Sequence, residues 1–402
     1  MKRTLWHVFS FVVLLSICGS GFAKDSKHYI LYVGTYTNGA SKGIYAYRYD
    51  ASTGDVQSLG LAAEARNPSF LAADARGEHL FAVNELNRYQ GESSGGVSSF
   101  TIDRKTGKLS QLNEVASHGA YPCYLSLDRS GKYLLVANYA GGNVAVIPVL
   151  PDGHLGEASS VLKDEGTLGP NKERQEAPHA HWIAASARNR FAYVADLGLD
   201  RVLIYRFDAE KGVLSRGESA PPAGNPGSSR GRDFFSATLA PGTGPRHIAF
   251  SADGRFMYVL GELDATVTVF ANDDRETYRS IQKISARPTG PAGLGGKNTA
   301  AEIAIHPKRE MLYTSNRGDE TIAAFSIDGA TGRLSSAGRV SAFGKTPRHF
   351  AIDPSGTHLL IANQDTGNIV EYAVDEPTGN LSKPHEVAKV ASPVCLLFVA
   401  EE

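Results

Sequence analysis

The sequence predicts an all-β protein, a seven-bladed β-propeller of four-stranded antiparallel blades. Two observations predict it. A β-rich phrase ending in a small or amide residue recurs seven times, and each end of the chain supplies only part of such a unit. The phrase reads Leu31-Tyr32-Val33-Gly34, Leu80-Phe81-Ala82-Val83-Asn84 and Leu134-Leu135-Val136-Ala137-Asn138, and it returns four more times. Its last residues fall at 34, 84, 138, 196, 261, 316 and 363, between 47 and 65 residues apart. One small sheet cannot bury both of its faces, so a period of this size built from short strands points to blades packed around a ring.

Each element of the unit has its own signal. A short apolar strand comes first, such as Tyr124–Leu127 or Ile248–Phe250. A turn follows at Asp74, Asp128, Ser186, Ser251, His306 and Asp353, where Asp and Ser can bond their own backbone and a following Gly accepts positive φ. The repeated phrase is the second strand. A third strand follows, such as Asn143–Pro148 or Thr321–Ile327. A Thr-Gly-x-Leu turn, as at Thr331-Gly332-Arg333-Leu334, then leads into a fourth. The N-terminal unit lacks a first strand and Val394–Val399 is a strand with no unit after it, so pairing the two ends closes the ring and removes an open edge.

Composition narrows the function. The chain has 402 residues, 42% hydrophobic and 21% charged, with a net charge of −1. Nothing in that balance calls for nucleic acid or an anionic membrane as partner. Lys2 and Arg3, the apolar run Val8–Ile17 and the small residues of Gly21-Phe22-Ala23 form a secretory leader. The expected division is therefore a signal peptide over 1–23 and one propeller domain over 24–402, monomeric, exported to the periplasm or medium and free of the membrane after cleavage. Leu15-Ser16-Ile17-Cys18 hints at a lipoprotein signal, but Ile17 is bulkier than the small residue usual before such a cysteine. Cys123 and Cys395 then remain and read as two buried free thiols.

In a propeller the start of each first strand and the end of each second strand lie at the same mouth of the central channel. Alignment of the blades places Ser69, Cys123, His181, Arg246, Ala301, Arg348 and Val394 in one set. The other set is Thr35, Glu85, Tyr139, Leu197, Glu262, Arg317 and Gln364. His179 joins His181 on one side of an extended strand. Three arginines near two acids and two histidines can hold an anion and supply a general base. Tyr139 could close over a ligand or cap its blade. His247, His349 and Glu302 alternate to the opposite strand face, where the two histidines are expected to pack. The loops Gly166–Ala177, Glu218–Gly244 and Arg287–Lys297 all lead to this mouth. His179-Ala180-His181 could offer two nitrogens to a metal, but the arginines nearby would oppose a cation.

Pro178-His179-Ala180-His181, Gly244-Pro245-Arg246-His247, Gly261-Glu262, Ala301-Glu302-Ile303, Ser315-Asn316-Arg317-Gly318 and Pro347-Arg348-His349 together resemble the seven-bladed propeller lactonase family. That family includes bacterial propeller-type 6-phosphogluconolactonases and the fungal carboxy-cis,cis-muconate cyclase. The resemblance spans about Tyr29 to Val399. It implies a hydrolase acting on a small anionic or sugar lactone, without metal or other cofactor, and a site of His181, Arg246, Glu262 and Arg317. His179, Arg348, Glu85 and Tyr139 are the expected substrate-binding neighbours. A cytosolic pentose-phosphate enzyme needs no leader, so phosphorylated and unphosphorylated lactones both stay open. A cyclase or isomerase, and a ligand-binding propeller without catalysis, are the alternatives.

Overall fold

The structure, a computed structural model, describes residues 27–216, 236–272, 278–287 and 297–401. The expected leader and most of the loops over 218–244 and 287–297 lie outside the described residues. Among the described residues every regular element is a strand, and no helix is long and apolar enough to cross a membrane.

Seven antiparallel sheets form the blades. Blade 1 is closed by the chain ends: Pro393–Ala400 is its inner strand and pairs with His28–Thr35, from Tyr29 opposite Ala400 to Thr35 opposite Pro393. Blades 2 to 7 begin with the inner strands Leu71–Ala73, Pro122–Leu127, Ala180–Ala185, Pro245–Phe250, Thr299–Ile305 and Pro347–Ile352. These strands touch one another in a closed circuit around the axis. Blade 4 departs from four strands, because Ser236–Thr238 adds a further short strand beside Arg201–Asp208.

The core lies between blades. Seven apolar clusters fill the seven interfaces, one each. In blade 3, Leu134 and Val136 face blade 2 while Leu135 and Ala137 face blade 4. A strand buried on both sides reads as a continuous apolar run rather than an alternation, which is why the phrase is so uniformly hydrophobic. Burying each such Val or Leu contributes roughly 1.5–3 kcal/mol relative to exposure.

The polar end of the phrase also has a physical cause. The side-chain amides of Asn84, Asn138, Asn316 and Asn363 donate to the carbonyls of Arg66, Ser117, Ala286 and Ala342, at 2.9–3.1 Å. Those carbonyls sit just past the outer strand of the preceding blade, so each Asn clips the crossover that carries the chain inward. The turn residues behave as expected: Asp128 accepts from the Lys132 and Tyr133 amides, Asp353 from His358, and His306 from Lys308. Cys123 and Cys395 are buried free thiols.

Candidate active site

Six of the seven inner strands carry a β-bulge at the channel mouth. The extra residues are Cys123, His181, Arg246, Ala301 with Glu302, Arg348 and Val394. A bulge sets two consecutive side chains against one partner residue and re-aims them. This overturns the expectation that His247, His349 and Glu302 point away. The bulges turn them into the channel beneath Arg246 and Arg348, where they line a cavity of about 10 Å³ with Ser69, Phe70, Glu85 and Cys123.

One position at the mouth is corrected as well. The amides of Glu85, Tyr139, Leu197, Glu262 and Gln364 each donate to the carbonyl of a residue just ahead of the inner strand of the same blade, and in blade 1 Tyr36 does this, to Ser392. Thr35 is the buried strand end, bonded to Ser41 Oγ and the Gly43 carbonyl. Tyr36 therefore takes the place assigned to Thr35, because the phrase in blade 1 runs one residue further than its Gly34 ending implies.

Glu262 is the centre of the site. It is 3% exposed and meets three arginines. Arg174 Nη2 lies 2.6 Å from Oε1, while Arg246 Nε and Arg317 Nη2 lie 3.1 and 3.2 Å from Oε2. Burial pushes the Glu262 carboxyl up, but Arg317, Arg246 and Arg174 outweigh it and hold the group at about 2. His181 Nε2 stands 3.9 Å from the same Oε2. Burial, Arg246, His247 and Arg348 keep the His181 imidazole well below its ordinary range, hence neutral at neutral pH.

The predicted neighbours fall into two groups. Tyr139 stacks on His179 at 4.4 Å and meets His181 edge-on at 5.5 Å. Both nitrogens of His179 have protein partners, the Tyr139 carbonyl at 3.0 Å and Glu176 at 3.1 Å. On the other side Arg348 donates to the Tyr36 hydroxyl, which donates to Glu85, each at 2.8 Å. All eight expected residues thus surround one mouth. Arg174 and Tyr36 were not among them. Arg174 comes from the Gly166–Ala177 loop, where Gln175, buried and bonded to the Asn171 amide and the Leu197 carbonyl, fixes the turn that presents it. Its one signal in the sequence was a long loop leading to this mouth.

Four arginines against Glu262 and Glu85 leave an anion-attracting site with a neutral imidazole at its side. Comparisons with known proteins agree with that chemistry. A family model described as "Lactonase, 7-bladed beta-propeller" matches residues 30–398. The chain is 33% identical to a 6-phosphogluconolactonase of Bacillus subtilis over 328 residues, 81% of this chain and 86% of that protein. It is 29% identical to one from Formosa agariphila, over 81% of this chain and 87% of that protein. A solved periplasmic gluconolactonase of Pseudomonas aeruginosa superposes with a TM-score of 0.82 at 36% identity, covering 93% of this chain and 100% of that one. The chain belongs to the seven-bladed β-propeller lactonase family, a family of lactone-hydrolysing enzymes.

Proposed function

We propose that the protein hydrolyses a sugar lactone of the gluconolactone type at this mouth by acid–base and electrostatic catalysis. The observation that carries this is the neutral, buried His181 beside an arginine set already organised around a carboxylate. His181 takes a proton from a water molecule as the water oxygen attacks the ring carbonyl carbon. Negative charge moves to the carbonyl oxygen, where Arg246 and Arg317 stabilise it. The carbonyl re-forms as the ring C–O bond breaks, and the ring oxygen takes the proton back from His181. Glu262 stabilises the transient imidazolium and keeps the arginines in place. Its carboxyl is held at about 2, too weak a base to compete with a neutral imidazole near pH 7.

Arg348 and Arg174 would receive an anionic or hydroxyl-rich part of the substrate, with Tyr139, His179 and Glu85 shaping the wall. Export of the enzyme, argued from residues 1–23, is supported by the periplasmic gluconolactonase among its structural relatives. An exported enzyme favours an unphosphorylated lactone. The test is hydrolysis of gluconolactone, 6-phosphogluconolactone and muconolactone by purified protein and by its Arg246→Ala and Glu262→Gln variants. Unchanged rates in the variants would remove the assignment. Turnover of muconolactone alone would favour the cyclase-like alternative.

A further inference from the structure

Beneath the site, Arg246 leads into a buried chain of groups, His247, Glu302 and His349, that the hydrolytic mechanism does not use. Arg246 Nη1 lies 3.1 Å from His247 Nε2. His247 Nδ1 lies 3.0 and 3.1 Å from the two oxygens of Glu302. His349 Nε2 approaches Glu302 Oε2 at 3.4 Å, and the Leu396 amide donates to His349 Nδ1 at 3.3 Å. The Ile303 amide donates to Glu302 Oε1 at 3.0 Å. Arg246, His247, Glu302 and His349 are all buried. Phe70 and Tyr124 meet the His247 ring edge-on.

The two ends of this chain fix its protons. A guanidinium cannot accept, so His247 Nε2 must be the acceptor and Nδ1 must carry the proton. A backbone amide cannot accept either, so His349 Nδ1 is an acceptor and Nε2 carries the proton. Both imidazoles are then neutral, and Glu302 accepts from His247 Nδ1 and the Ile303 amide, with the His349 Nε2–H 3.4 Å away. A carboxylate so placed is satisfied in its ionised form. Burial raises the Glu302 carboxyl, while His349, Arg246 and the Ile303 amide act to lower it; either form keeps an oxygen that accepts from His247.

We infer that Glu302 and His247 are positioning residues that hold Arg246 from behind, as Glu262 holds it in front. Among the described residues, the Ala301 carbonyl is the other hydrogen-bond partner of Arg246 on this side, met by the same Nη1. With both carboxylates in place the guanidinium plane is fixed before substrate arrives, so no reorganisation is needed as the oxyanion forms. The inference rests on the assignment of Arg246 to oxyanion stabilisation, and its test is separable from that assignment.

The first measurement needs no activity. Ring ¹⁵N spectra of selectively labelled protein should show His247 protonated at Nδ1 and bare at Nε2, and this fixed tautomer should relax in Arg246→Ala protein. A His247 protonated at Nε2 in the wild type overturns the inference. The second measurement is kinetic. His247→Leu should lower kcat about tenfold with little change in KM, the loss expected for one hydrogen bond to a charged group. His247→Gln, whose side-chain oxygen can accept from Arg246, should recover most of that loss. In an Arg246→Ala background His247→Leu should add almost nothing, since the two act as one unit. Additive losses, or a loss that appears in KM, overturn the positioning role. If Arg246→Ala itself leaves hydrolysis intact, the oxyanion assignment fails, while the spectra still decide the contact.

Discussion

Arg174 Nη2 lies 2.6 Å from Glu262 Oε1, so a loop between blades 3 and 4 closes a contact that blades 5 and 6 have already begun. Of the three arginines on Glu262 it is the most accessible, with 37% of its side chain exposed against 3% for Arg246 and 14% for Arg317. The same Nη2 donates to the Tyr139 hydroxyl at 3.2 Å. A group held this way can exchange Glu262 for an incoming anion without disturbing the buried pair behind it.

Arg174→Ala should therefore raise KM for an anionic lactone about tenfold, the value of one charge-assisted hydrogen bond, and leave KM for a neutral lactone closer to the wild type. Steady-state kinetics on gluconolactone and 6-phosphogluconolactone separate the two. Equal effects on both would show that Arg174 only braces Glu262.

The pH profile tests His181. Its ordinary value is 6.5, and burial with Arg246, His247 and Arg348 places the folded value well below that. The base is active when neutral, so the acid limb of kcat/KM should lie below pH 6.5. Arg348→Gln removes one of the charges that lowers it, and the limb should move up towards 6.5. A limb above 6.5 in the wild type would exclude His181 as the base.

The repeated phrase made the ring legible because every copy is buried on both sides and ends at the same crossover. The four candidate site residues stood out in the sequence because His181, Arg246, Glu262 and Arg317 place polar, titratable groups where the pattern is otherwise bland. What escaped depended on one inserted residue. Strict alternation sent His247, His349 and Glu302 outward, and only a bulge at each inner strand reverses them. A bulge leaves no mark in composition: Pro precedes the extra residue at Cys123, Arg246, Arg348 and Val394, and Pro is equally at home at the start of an ordinary strand. Tyr36 was missed by a slip of one position, and Arg174 because its turn is fixed by a buried Gln175 rather than by the repeat.

The stability that these buried imidazoles contribute should fall with pH in the range where they would charge. The His349 value is lowered by burial to about 4, and His181 and His247 lie well below 6.5. Between 6.5 and those values the unfolded chain binds protons that the folded chain refuses. The imidazoles' contribution to folded stability is therefore complete above pH 6.5 and lost as pH falls towards 4, by about 3 kcal/mol for His349 alone, while Glu371, whose carboxyl burial raises to about 8, gains stability in the same direction. Glu262 adds to the loss lower down, since its carboxylate contribution is present above 4.5 and disappears towards about 2. Measured against the wild type across this range, the urea midpoint of His349→Gln protein should fall less as pH drops from 6.5 to 4. A pH dependence identical in wild-type and His349→Gln protein would contradict a neutral His349 in the channel.

Gly244 ties backbone geometry to the same chemistry. It has φ +61 and comes directly before Pro245-Arg246, its carbonyl accepts the Glu262 amide at 2.7 Å, and its own amide donates to Asp200 at 2.7 Å. Asn67, Tyr121, Thr346 and Ser392 occupy the corresponding position in other blades at φ 43 to 58, so the left-handed conformation alone does not demand glycine. Crowding does: a Cβ on Gly244 would fall 2.6 Å from Leu263 Cγ and 3.2 Å from Leu197 Cγ. Gly244→Ala must combine the strained φ with displacement of Leu263, the residue after Glu262. It should cost about 1–3 kcal/mol of stability and lower kcat by moving Glu262 and Arg246 together. Adding the same single methyl at Gly131, whose φ is +71 but whose Cβ would meet open space, should cost stability with kcat unaltered. If both substitutions change kcat alike, the effect belongs to the fold as a whole and not to the Glu262–Arg246 pair.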